Sequence, residues 1–225
     1  MNKIIEIGTI DDAFASGGNR LCFVDPSNQA RCIKIAIEHR SAEIKRAEKS
    51  FPNNLRSLAY FDENISDEKV YQRISSTIGD EAYTLIARCN GFVETNLGRG
   101  LSYEMIRDSD GKISMTLLRY VWQYGLTDDL QVALDHFMFE WARLGMPSRN
   151  ILLHNIVVQR TALKVSRLII IDGLGWPDLI PLGYFCKHIA RKKAKRKVAR
   201  LPSVIQKLLD DKSAGRTLLK FGVDL

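Results

Sequence analysis

Apolar and polar residues alternate in the first half of the chain and move to helical spacing in the second. Ile4 to Ile10 is a β-branched run, broken by the flexible turn Ser16-Gly17-Gly18-Asn19-Arg20. Leu21 to Val24 reads as a short strand, Asp25-Pro26-Ser27-Asn28 as a turn, and Arg31 to Ile37 as another strand. Ser41 is placed to cap a helix running to about Phe51, where Pro52 stops it. Ala82 to Arg88 and Leu101 to Ile106 read as two more strands, on either side of Thr95-Asn96-Leu97-Gly98-Arg99-Gly100, with a turn at Asp108-Ser109-Asp110-Gly111.

The period then changes. Leu130, Ala133, Leu134, Phe137, Met138, Trp141 and Leu144 recur at helical spacing; Thr127 is placed as their cap, and Gly145 with Pro147 ends the helix. Asn150 to Val158 and Leu168 to Ile171 read as a β-hairpin. Helical patterns follow, with Pro202 as a break and Val204, Leu208 and Leu209 as a short apolar face. The pattern predicts an α+β fold of two lobes, β-rich over 1–106 and mostly helical over 107–225, meeting near residues 106–116.

A chain of 225 residues with 45% hydrophobic and 26% charged positions is globular in composition, which excludes a disordered or fibrous protein. The net charge of +7 is local. Eight basic residues and no acidic one lie between Lys187 and Arg200, and the rest of the chain carries 25 basic against 26 acidic residues. The four cysteines (Cys22, Cys32, Cys89, Cys186) form no Cys-x-x-Cys pair, and with four histidines there is no metal-ligand cluster. They read as small buried residues in a reducing compartment. Glu6 interrupts the first apolar stretch, so the start is not a signal peptide, and no run approaches the ~20 apolar residues of a membrane span. These features predict a cytoplasmic protein.

Four features could carry chemistry. Lys34 shares a strand face with Cys32 and Ala36 while Ile33, Ile35 and Ile37 point the other way, so it is either a phosphate-binding lysine or a solvated lysine on an edge strand. Gly17 and Gly18, about sixteen residues earlier, permit close backbone approach to a phosphate but also suit any hairpin turn. Asp172 ends the apolar strand Leu168 to Ile171 and precedes Gly173-Leu174-Gly175, where a carboxylate could hold Mg²⁺ or simply close a turn. Asn150-Ile151-Leu152-Leu153 and Asn155-Ile156-Val157-Val158 both have the form of an asparagine that donates its amide oxygen to Mg²⁺ before a strand, and spacing alone does not choose between them.

These residues, in this order, resemble the YrbL family, linked to the PhoP regulatory network and protein-kinase-like in fold. The resemblance is carried by Gly18 to Pro26, Arg31-Cys32-Ile33-Lys34-Ile35, Val93 to Asn96, Gly98-Arg99-Gly100, Tyr103 to Ile106, Asn150 to His154, Asp172 to Gly175 and Leu179-Ile180-Pro181-Leu182. It implies an ATP- and Mg²⁺-binding cleft between the lobes. Lys34 would clamp the phosphates under Gly17 and Gly18. Glu104 and Ile106 would belong to the hinge whose backbone meets adenine, and Asn150, favoured over Asn155, would hold the metal with Asp172. Glu43 or Glu48 would be the partner of Lys34. Catalysis would rest on Lys34 and Asp172.

One departure qualifies that activity. A kinase places an aspartate five residues before the metal asparagine. Here that position is Gly145, or Asn150 if Asn155 is the ligand, so neither register supplies a base. A carboxylate from elsewhere, such as Asp178, would have to serve. The resemblance therefore implies either a phosphotransferase, with protein, sugar and lipid hydroxyls all open as acceptors, or a regulatory pseudokinase. On a helix, Lys187 to Arg200 presents a narrow apolar stripe and a basic surface suited to an anionic partner: phosphorylated substrate, lipid headgroup or nucleic acid.

Overall fold

The computed structural model describes residues 4–17, 19–37, 41–51, 53–55, 57–162, 164–178 and 182–218. Gly18, Pro52 and the segment 179–181 lie outside them. The chain is α+β, as its hydrophobic pattern predicts, and divides into two compact units.

Among the described residues the first unit comprises 4–72 and 88–105. Its strands are β1 (Ala15–Ser16), β2 (Arg20–Val24), β3 (Arg31–Ala36), β4 (Cys89–Thr95) and β5 (Gly98–Glu104), in one antiparallel sheet of order β1-β2-β3-β5-β4. Period-two alternation gives the sheet two unlike faces. Phe23, Ile33 and Ile35 point to one, where they pack with Ile7. Cys22 and Lys34 oppose each other on the other, as do Cys32 and Tyr103. Of the predicted strand Ile4 to Ile10, only Ile5 pairs, in a single parallel bridge to Thr95, and Gly8 at φ +87° turns the chain away.

Helix α1 (Ala42–Ala47) is shorter than its pattern predicts, and Ser41 Oγ accepts from Ile44 N at 3.4 Å as its cap. After the one-turn α2 (Leu58–Phe61) comes α3 (Glu63–Thr77), which no apolar periodicity announced. Asp62 starts it: Oδ1 accepts from Asn64 N at 2.9 Å and Ile65 N at 3.1 Å. From Arg73 onward α3 groups with the second unit.

Among the described residues the second unit comprises 73–87 and 106–218. Residues 82–88, expected to form a strand, are instead a 3-10 turn at Asp80–Thr84 followed by one bridge, Ile86 to Ile170. An apolar run without alternation suits either geometry, and here burial rather than strand pairing accounts for it. The segment is anchored by Ile170 N donating to Leu85 O (2.8 Å) and Ala87 N to Ile170 O (3.0 Å), which puts it in the helical unit despite its place in the first half of the sequence.

Helices α4 (Leu117–Tyr124) and α5 (Asp128–Leu144) precede the hairpin β6 (Ile156–Thr161) and β7 (Lys164–Ile170); α6 (Lys187–Val198) and α7 (Leu201–Ser213) follow. Residues 150–155, predicted as strand, form a loop ending in a 3-10 turn. Thr127 precedes α5 without making a side-chain cap bond; Asp129 takes Leu130 N at 3.0 Å and reaches Val165 N on β7 at 2.7 Å. Pro202 opens α7 rather than breaking a helix, because its missing N–H costs nothing in a first turn. Among the described residues no helix is long and apolar enough to cross a membrane.

Candidate functional site

Lys34 is not the solvated lysine of an edge strand. It lies on the central β3, is 6% exposed, and holds Nζ 4.7 Å from the Tyr103 ring centroid. A buried ammonium needs nearby negative charge or a polar lining. Helix α3 brings acids to this face. Asp67 Oδ2 is 2.6 Å from Arg20 Nη1 and accepts from the Tyr103 hydroxyl at 3.3 Å. Glu63 lies 3.6 Å from Arg20 Nε and 3.2 Å from Lys45 Nζ. Asn64 ties the helix to the strand, donating from Nδ2 to Lys34 O at 3.1 Å while accepting from Arg20 at 3.2 Å.

The thiols report the same environment. Burial pushes Cys32 up to about 12, with Lys34 pulling the other way. Burial also raises Cys89; Glu68 and Asp67 raise it further and Lys34 lowers it. Lys34, Asp67 and Glu68 thus share one electrostatic neighbourhood.

Both predicted partners of Lys34, Glu43 and Glu48, are exposed residues of the α1 region. The Glu43 carboxyl is held low by its own backbone N–H and the Ser41 hydroxyl, which commits it to the start of α1. Gly17 N donates to Arg20 O at 2.8 Å, closing the turn between β1 and β2. At the other end of the sheet, Glu104 N donates to Arg88 O and Met105 N to Ala30 O, both at 2.8 Å, and Ile106 O accepts from Ser114 N at 3.0 Å. The amides of Glu104 and Met105 are used within the fold.

In the second unit the loop after α5 runs alongside the turn after β7. Arg149 N donates to Gly173 O (2.8 Å), Ser148 bridges Leu174, Gly175 N donates to Pro147 O (3.3 Å) and Ile171 N to Asn155 O (2.9 Å). Asp172 caps its own turn, Oδ1 accepting from Gly173 N at 2.6 Å. Gly173 is at φ +80°, and a β-carbon there would lie 3.1 Å from the Asn150 carbonyl and 3.1 Å from the Asn155 side-chain nitrogen. Only glycine keeps both neighbours in place.

That geometry distinguishes the two asparagines. Asn155 brings its side-chain amide to the Asp172–Gly173 turn, whereas Asn150 brings its backbone carbonyl and is itself exposed. Asn155 also directly precedes β6, which spacing alone could not tell. His154 joins the cluster: burial lowers it and the Asp172 charge opposes that shift.

No carboxylate fits at position 145. Gly145 is at φ +71°, and a β-carbon there would meet Ala190 Cβ at 2.9 Å and Arg191 N at 3.1 Å. Asp178, the other candidate base, pairs with Lys193 at 2.6 Å, which holds its carboxyl low. Lys197 donates through Nζ to Ser148 O at 2.5 Å and to Arg149 O, so α6 pins the loop it covers.

Among the described residues no three His, Cys, Asp or Glu side chains gather as a closed metal site. The carboxylate of Asp172 and the amide oxygen of Asn155 are hard oxygen donors, the type that Mg²⁺ accepts.

The family model described as PhoP regulatory network protein YrbL matches residues 9–206. Uncharacterized protein YrbL of Escherichia coli (strain K12) is 26% identical over 185 residues, 80% of this chain and 79% of that protein. The protein of the same description from Shigella flexneri matches with the same identity and coverage.

Proposed function

The chain belongs to the YrbL family of PhoP regulatory network proteins, and we propose that it binds a magnesium nucleoside triphosphate, ATP in the first instance, without being built for rapid phosphoryl transfer. The observation that carries this reading is the loop-and-turn pairing that sets the Asn155 amide beside the Asp172–Gly173 turn at the foot of the β6–β7 hairpin. Lys34, buried on the central strand with α3 acids around it, supports the phosphate end of the same reading.

Mg²⁺ held by Asn155 and Asp172 would neutralise phosphate charge, and Lys34 would neutralise the rest. Transfer would lack its base. The space at Gly145 is filled by α6, and Asn150, five residues before Asn155, offers an amide that accepts no proton at neutral pH. Phosphoryl transfer depends chiefly on positioning and charge, so this lowers turnover without removing the reason to bind. The product is a nucleotide-dependent regulator rather than an efficient kinase.

Calorimetry with Mg·ATP tests it. The wild type should bind; Lys34→Ala and Asp172→Ala should each weaken binding at least tenfold. Asn155→Ala should weaken binding with Mg²⁺ and not with EDTA, whereas Asn150→Ala should leave affinity within twofold. If the folded wild type takes up no nucleotide, the reading fails. If Asn150→Ala rather than Asn155→Ala removes the metal dependence, the asparagine assignment fails alone.

A further inference from the structure

We propose that the groove between α5 and α6 docks an acidic amphipathic helix of a partner protein. Gly145, Ala190 and Ala194 let the two helices approach closely, and a groove of 560 Å³ lies beside that seam. Met138, Phe139, Ala142 and Val198 give it an apolar lining, and Arg191 and Lys195 a basic one. Phe139 is 65% exposed, and Val132, one heptad earlier on α5, is 70% exposed. Two large apolar residues seven apart on one helix face are the spacing at which a second helix sets its own apolar residues. A volume of this size takes side chains rather than a whole helix, so the partner would lie along the groove and insert two or three of them.

Charge selects the partner. Not every cation of α6 is available. Arg191 Nε donates to Arg143 O at 2.8 Å, Lys193 pairs with Asp178, and Lys197 holds the loop carbonyls. The charge of Arg143 is met by Glu81 and Glu140, both at 2.6 Å. Lys192, Lys195 and Arg196 are exposed, and α6 contains no acid. A helix with leucines toward the groove and glutamates on its flank toward α6 satisfies both surfaces. Nucleic acid would leave the apolar lining unused, and base stacking would need aromatics that α6 lacks. A flat bilayer would meet the rim and not the recess.

The proposal involves neither Lys34, Asn155 nor Asp172, so the test is made without nucleotide. Anisotropy is measured with a labelled eighteen-residue peptide carrying leucine at i, i+3, i+4, i+7 and i+11 and glutamate and alanine elsewhere. A scrambled peptide of the same composition is the control. The wild type should bind the amphipathic peptide, more weakly as salt rises, and bind the scrambled one at least tenfold less. Phe139→Ser and Lys195→Glu, both at exposed positions and checked for unchanged melting, should each cost at least tenfold. Replacing flank glutamates by lysine should restore binding to Lys195→Glu. No binding by the wild type, equal binding of the scrambled peptide, or an unaffected Phe139→Ser would each overturn the proposal. So would retention on phosphatidylglycerol vesicles or poly(U) RNA that needs Lys192, Lys195 and Arg196 but not Phe139, with the peptide bound no better.

Discussion

Two groups of cations in this protein behave in opposite ways. Arg20 and Lys34 come from neighbouring strands, are 7% and 6% exposed, and sit among the acids and hydroxyl of α3 and Tyr103. The cations of α6 follow one another along a single helix, and most lie in solvent. The first group is costly to bury and is held by partners that only folding supplies. The second has little desolvation to offset, so its charge remains for other uses. Concentration of charge along the chain is therefore a poor guide to which charges the fold depends on.

The largest effect should come from the buried group. Arg20→Met leaves Asp67 and Glu63 without their shared partner and should cost about 3–5 kcal/mol in urea unfolding. A loss below 1 kcal/mol would erase the distinction from α6. Gly145→Asp, which puts a carboxylate five residues before Asn150, should come next. A left-handed backbone costs about 1–2 kcal/mol for a residue with a β-carbon, and the clash with Ala190 adds about 1–3 kcal/mol. Asn150→Asp, at an exposed site, should change stability by no more than about 0.5 kcal/mol. If Gly145→Asp is equally harmless, α6 does not fill that space.

Within α6 the comparison becomes internal. Lys197→Met removes the bonds to the Ser148 and Arg149 carbonyls and should cost about 1–3 kcal/mol, whereas Lys192→Met should stay within about 0.5 kcal/mol. Equal effects would make α6 a uniform charged surface.

The smallest effect is in pH dependence. Cys32 is raised from 9.0 to about 12 in the folded protein, so the unfolded chain releases this proton first. The stability linked to this proton is fully present below pH 9 and is lost as pH rises toward 12. Cys32→Ala should flatten the alkaline limb by about 1 kcal/mol per pH unit from pH 9 to 10, in urea melts at each pH. An unchanged slope would mean that the Lys34 face is wet.

Several elements were legible because their signal is local. The alternation around Lys34 predicts the face it shares with Cys32, and the spacing from Leu130 to Leu144 predicts α5 and its end at Gly145. Helix α3 was not legible: its packed side mixes the polar Asn64 and Asp67, which meet Arg20, with Tyr71 and Ile74, so no continuous apolar stripe marks it. The signal that could have found it is Asp62 as a cap, followed by acids at Glu63, Asp67 and Glu68 with helical spacing. The two asparagines were indistinguishable in sequence because each precedes an apolar run. Only the position of Gly173 separates them.

What the sequence by itself determined is the α+β class, the paired strands around Lys34, the helix ending at Gly145 and the confinement of excess charge to one segment. These depend on neighbours a few residues apart, where period, turn residues and composition act directly. Tertiary structure decided the rest. It gave the Lys34 face its acids from α3 and brought Asn155 rather than the side chain of Asn150 to the Asp172 turn. It also filled the space at Gly145 with α6 and divided a single basic run into structural and exposed cations. Each of those outcomes is a contact between distant segments, set by packing and desolvation that no local pattern encodes.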